Sequence, residues 1–120
     1  MTKDSKFSRW LAKNIMRWEN DSEDYYRMSP NENLIHVMPI QAWCPRTSIN
    51  QCKMLIKEYI EQRKLIDFVI SFTSDASLLI QILDLLGETH YEAFYEYDDL
   101  EIGICEAIYF DFTNRKDELL

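Results

Sequence analysis

The chain has 120 residues, 47% hydrophobic and 13% aromatic, with 2 Gly and 3 Pro, and a formal charge of −8 from 13 Lys+Arg and 21 Asp+Glu. This length fits one domain that buries roughly two-thirds of its unfolded surface, and the apolar and aromatic content excludes disorder. The longest apolar run, Ala107 to Phe110, falls far short of the roughly 18 residues of a membrane-crossing helix.

The first helix runs from a cap at Ser5 or Ser8 to about Glu19, because Trp10, Leu11, Ile15 and Trp18 recur at helical spacing between flanking Lys6, Arg9, Lys13 and Arg17. The stretch 20–24 reads as a polar loop. Tyr25 to Met28 and Leu34 to Met38 read as short strands around a Pro30–Asn33 turn, with His36 in the second. The segment Gln41 to Pro45 reads as extended, since a proline pushes its predecessor out of the helical region. Thr47 or Ser48 then caps a helix over Ile49 to Lys64, with Cys52, Leu55, Ile56 and Tyr59 or Ile60 on its apolar side. Ile66 to Phe72 reads as a strand.

Ser74 with Asp75 is expected to open a further helix through Leu86, ended by Gly87 in a left-handed conformation. Thr89 to Tyr97 alternates as a strand, with Tyr91, Ala93, Tyr95 and Tyr97 on one face and His90, Glu92, Phe94 and Glu96 on the other. Asp98 or Asp99 caps a last helix through about Phe112, which buries Leu100, Ile104, Ala107, Ile108 and Phe112. Residues 1–4 and 114–120 are expected to fray. The elements describe a single compact α+β domain over residues 1–120: an α-β-α sandwich of three to four mostly antiparallel strands and about four helices.

Charge is unevenly spread. Residues 1–64 hold 11 basic and 8 acidic side chains, whereas residues 65–120 hold 2 basic and 13 acidic. No Lys or Arg occurs between Leu65 and Asn114. Such a chain lacks the basic stripe that neutralises phosphates, which disfavours direct nucleic-acid binding. Its acidic half reads either as a solubilising face or as a surface for a basic protein groove. Glu88, Glu92, Glu96, Asp98, Asp99 and Glu101 are the expected partner-binding residues.

Motifs for catalysis are missing. Two glycines rule out a phosphate-cradling loop, and neither GxSxG nor HExxH occurs. Cys44, Cys52 and Cys105 lack CxxC spacing and read as buried thiols, and with two histidines they make no metal set. No cofactor, metal or catalytic residue is expected. The alternatives are a small-molecule or nucleotide pocket lined by Trp43, Tyr59 or Tyr95 with Arg9, Arg17, Arg46 and Lys53 nearby, and an enzyme using His36 or His90.

Three blocks carry a resemblance. Leu11 to Glu19 is similar to an opening helix that ends in Met-x-Trp, Trp43 to Cys52 to a Pro-Ser-Thr-Asp start of a long helix, and Ile102 to Ile108 to a closing Ala-Ile-Cys-x-Ala helix. Together they resemble the phage ABA-sandwich family, small proteins of bacteriophages and prophages. Arg17 stands where that family usually has glycine, and Gly103 where it has alanine. The resemblance implies an α-β-α sandwich, no catalytic residues and a phage setting. The function expected on that basis is a non-enzymatic inhibitor of a host defence factor, such as a CRISPR or restriction nuclease. Its partner would be a basic host protein, with no membrane involved and a homodimer compatible. The first thirty residues hold no signal-peptide core, so the bacterial cytoplasm is the expected location.

Overall fold

The computed structural model describes residues 3–28 and 36–114, with side chains from Ser5 onward. The expected Pro30–Asn33 turn, the expected strand start at Leu34 and, of the ends expected to fray, residues 1–2 and 115–120 lie outside the described residues, whereas Lys3 and Asp4 are helical. The fold is compact α+β, with two antiparallel three-stranded sheets.

Helix α1 spans Lys3–Asn14, so Ser5 and Ser8 lie inside it and do not cap it. It also ends five residues before Glu19. The Met16 amide closes a wide turn onto the Leu11 carbonyl (3.1 Å), and Arg17 reverses the chain at φ 59°. A short sheet follows, of β1 (Glu19–Asn20), β2 (Tyr25–Met28) and β3 (His36–Pro39) in that order. The 41–45 segment is only partly extended. Ile40–Ala42 and Pro45–Thr47 form 3-10 turns on either side of an extended Trp43 and Cys44. Trp43 is buried there because its indole N–H donates to the Ser8 carbonyl at 2.8 Å and its ring meets Trp18 edge-on.

Helix α2 (Ile49–Arg63) begins at Ser48, whose hydroxyl accepts from the Gln51 amide at 3.3 Å and so satisfies one of the orphan N–H groups of the first turn. Cys52, Leu55 and Tyr59 are its buried stripe. Lys64, at φ 63°, ends it by donating its amide to the Ile60 carbonyl.

The second sheet consists of β4 (Ile66–Phe72), β5 (Ser77–Asp84) and β6 (Thr89–Glu96), with β5 central. The expected helix over 75–86 is thus a strand. Its apolar run satisfies both periods, and pairing decides between them. Ile80 stands opposite Ile70 on β4 and Ala93 on β6, so Leu78, Ile80 and Ile82 are buried while Leu79, Gln81 and Leu83 turn outward. Gly87 does have positive φ (86°), but in the β5–β6 hairpin rather than at a helix end, with its amide on the Asp84 carbonyl.

After the 3-10 turn Tyr97–Asp99, helix α3 (Leu100–Thr113) starts at Asp99, whose side chain makes no cap bond. Its buried residues, Gly103, Ile104, Cys105, Ala107, Ile108 and Tyr109, circle the helix, as expected for a helix enclosed on all sides. Gly103 meets Ile80 and Tyr95 of the sheet, Cys105 faces Cys52 of α2, and Tyr109 packs on Phe7 and Trp10 of α1. The expected burial of Phe112 does not hold: it lies at the rim, edge-on to Trp10. The layers therefore run from the β4–β6 sheet, through α2 and α3, to α1. Among the described residues the strands number six, in two sheets of three, where three to four were expected.

Candidate functional site

The parity of β6 sorts its side chains. Tyr91, Ala93 and Tyr95 face α3, and Glu92, Phe94 and Glu96 face out. On the inward side the Tyr91 and Tyr95 hydroxyls are 2.6 Å apart. Burial raises both tyrosine pKa values, and it raises that of Glu106 too, against the pull of Arg46 at 3.9 Å. These groups lie at the interface between β6 and α3. Trp43 and Tyr59, offered by the sequence as pocket walls, are core residues as well. Tyr95 packs on α3, since a Cβ at Gly103 would come within 2.9 Å of its ring.

On the outward side, cross-strand pairing sets Asp67, Val69 and Ser71 of β4 beside Leu83, Gln81 and Leu79 of β5, and these beside Thr89, Glu92 and Phe94 of β6. Phe94 is 67% exposed. The Gln81 amide donates to Glu92 at 2.6 Å and orients that carboxylate without neutralising it. The apolar side chains of this face are therefore Phe94 beside Leu79, with Val69 diagonal to both Leu79 and Leu83, among Asp67, Glu92 and Glu96. No Lys or Arg belongs to these strands.

The six residues expected to bind a partner do not form one patch. Glu92 and Glu96 share the outward face. Asp98 sits at the end of the sheet, lining a cleft with Asp75, Ala76, Ser77, Glu96 and Tyr97. The Thr73 hydroxyl bonded to Asp75 holds that carboxyl below its ordinary pKa. Asp99 and Glu101 are half-buried around the start of α3, where negative charge complements the helix dipole. Glu88 is in the hairpin turn, eight residues and so about 26 Å of extended strand from Glu96. Asp67, Asp75 and Phe94 also belong to the surface, though none of them is among the expected partner-binding residues. The alternation of β4 carried the signal for Asp67.

His90 departs from the sequence expectation. A register shift at Ile82/Leu83 inserts one extra residue in β6, and the bulge lets His90 turn toward the helices instead of sharing a face with Glu92. Its Nε2 lies 3.6 Å from Asp84 and its Nδ1 4.0 Å from Asp111. The Asp111 carboxylate, only 4% exposed, also takes the Tyr59 hydroxyl and sits 3.9 Å from Arg63. Burial, then Asp111, raises the Tyr59 pKa. This network ties α2, α3, β5 and β6 together beside a shallow hollow lined by Arg63, His90, Asp111, Phe112 and Asn114. His36 opens β3 on the surface, in the other sheet.

Among the described residues, no group of three or more His, Cys, Asp or Glu is placed to hold a metal ion. Nor is any of their helices long and apolar enough to cross a membrane. Cys44, Cys52 and Cys105 are free thiols, with Cys44 half-buried and the other two buried. The Cys52 thiol donates to the Pro45 carbonyl at 3.0 Å, which makes it a core hydrogen-bond donor. No family model matches the chain, and neither does any curated protein or solved structure.

Proposed function

We propose that the chain is a non-enzymatic protein that binds a basic protein partner through the outward face of the β4–β6 sheet. The observation that carries the reading is that face itself: an exposed Phe94 and half-buried Leu79 and Val69, edged by Asp67, Glu92 and Glu96, with no basic residue on the three strands. An apolar centre supplies affinity on desolvation, and the acidic rim supplies encounter rate and register. The partner that fits best is a nuclease whose nucleic-acid groove is basic. Within a phage setting this makes the chain an inhibitor of a CRISPR or restriction nuclease.

Two backbone features bear on the phage resemblance. Arg17 holds φ 59°, the region that glycine enters at least cost, at the position where the resembled family usually has glycine. Gly103 is explained by close approach instead, because a Cβ there would lie 2.7 Å from Ile80 Cδ1.

The test is a pull-down from bacterial lysate at low and high salt, with wild type beside the Glu92→Lys/Glu96→Lys/Asp98→Lys variant. Recovery of a basic nuclease by wild type alone, lost at high salt, is the expected outcome. Equal recovery by the folded variant would sink the proposal.

A further inference from the structure

The backbone of β6 is as open as its side-chain face. The Thr73 amide donates to the Ser77 carbonyl and the Asp84 amide to the Glu88 carbonyl, both at 2.9 Å, and these two bonds fix the hydrogen-bond alternation along the sheet. Following the registers, β5 turns Leu79, Gln81 and Leu83 toward β4, and Leu78, Ile80 and Ile82 toward β6. The β6 residues bonded inward are therefore Tyr91, Ala93 and Tyr95. The N–H and C=O groups of Glu92 and Phe94 and the N–H of Glu96 point off the edge, while the Glu96 carbonyl opens the 3-10 turn that follows. Among the described residues no backbone group meets these edge groups from outside the sheet.

We propose that β6 is a docking edge for an extended basic segment of the partner, which adds as a fourth strand. This deepens the acidic-face reading and rests on it. A strand paired here places every second side chain on the outward face, directly across from Glu92, Phe94 and Glu96, with Cβ atoms about 5 Å apart. The matching pattern is basic–x–apolar–x–basic. A second copy of the chain is the wrong occupant, because the register centred on Phe94 sets Glu92 against Glu96 of the copy. The other edge, β4, offers Asp67 alone and follows α2, which exposes Lys53, Lys57 and Arg63. Charge therefore directs a basic segment to β6.

The probe is the peptide Thr-Val-Lys-Thr-Val-Thr-Lys-Val-Thr, titrated into the isotope-labelled full chain and followed by amide chemical shifts. Two further peptides are run beside it: the same sequence N-methylated at its lysines and central valine, and at the intervening residues. The expected result is shifts centred on the Glu92, Phe94 and Glu96 amides, at least tenfold weaker binding on methylation of the set that faces β6, and loss of binding in Glu92→Lys/Glu96→Lys. Equal binding by all three peptides, still abolished by the Lys variant, overturns strand addition and leaves the acidic face standing as a side-chain surface. Absence of binding by every peptide also overturns strand addition, and the lysate pull-down then decides the acidic face separately.

Discussion

The two faces of one sheet differ more than any two elements of this molecule. Inward, Leu78, Ile80, Ile82, Tyr91 and Tyr95 close against α3 so tightly that position 103 has no room for a methyl group. Outward, the alternate residues of the same strands leave Phe94 two-thirds exposed among carboxylates. Because side chains alternate, one set of residues secures the fold and the interleaved set is free to answer to a partner. Substitutions on the two faces should therefore separate stability from binding.

The largest effects belong inside. Ile80→Ala should cost about 2–5 kcal/mol in chemical denaturation, since the site is fully buried, and Trp18→Ala should fall in the same range. Leu79→Ala, one residue along but outward and only half-buried, should cost clearly less, about 1 kcal/mol. Similar losses at 79 and 80 would erase the distinction. Gly103→Ala should destabilise by about 1–3 kcal/mol through overpacking, read as a lower denaturant midpoint.

Next come the buried polar groups. Tyr59→Phe removes the hydroxyl that serves a nearly enclosed Asp111 carboxylate and should cost about 1–3 kcal/mol. Tyr59, Tyr91 and Tyr95 all have pKa values raised by burial above the ordinary 10.0. Their neutral hydroxyls therefore contribute stability that is fully present below pH 10 and is lost as pH rises beyond it. In the alkaline range equilibrium unfolding should weaken as pH rises past the ordinary tyrosine value, with a shallower decline in Tyr59→Phe.

Legibility in the sequence followed the number of competing patterns. Helix α2 was clear because Ser48, the stripe Cys52–Leu55–Tyr59 and the basic end agree. Strand β4 and most of β6 were clear from alternation. Strand β5 was not, because Leu78-Leu79-Ile80-Gln81-Ile82-Leu83 suits a helix and a central strand equally. Only the register with β4 and β6 separates them. The bulge that turns His90 inward has no local signature, and the acidic residues were legible as a count rather than as a surface. Folding divides them between the outward face, the hairpin turn and the start of α3.

The smallest stability effect is expected where the largest functional one lies. Glu92→Lys/Glu96→Lys/Asp98→Lys replaces exposed side chains and should move stability by no more than about 0.5 kcal/mol per site. The decisive measurement is DNA cleavage by a panel of CRISPR and restriction nucleases with wild type or this variant added, each shown folded by its denaturation midpoint. The expected result is inhibition of at least one nuclease by wild type and none by the variant. Inhibition of the same strength by both proteins would contradict the account.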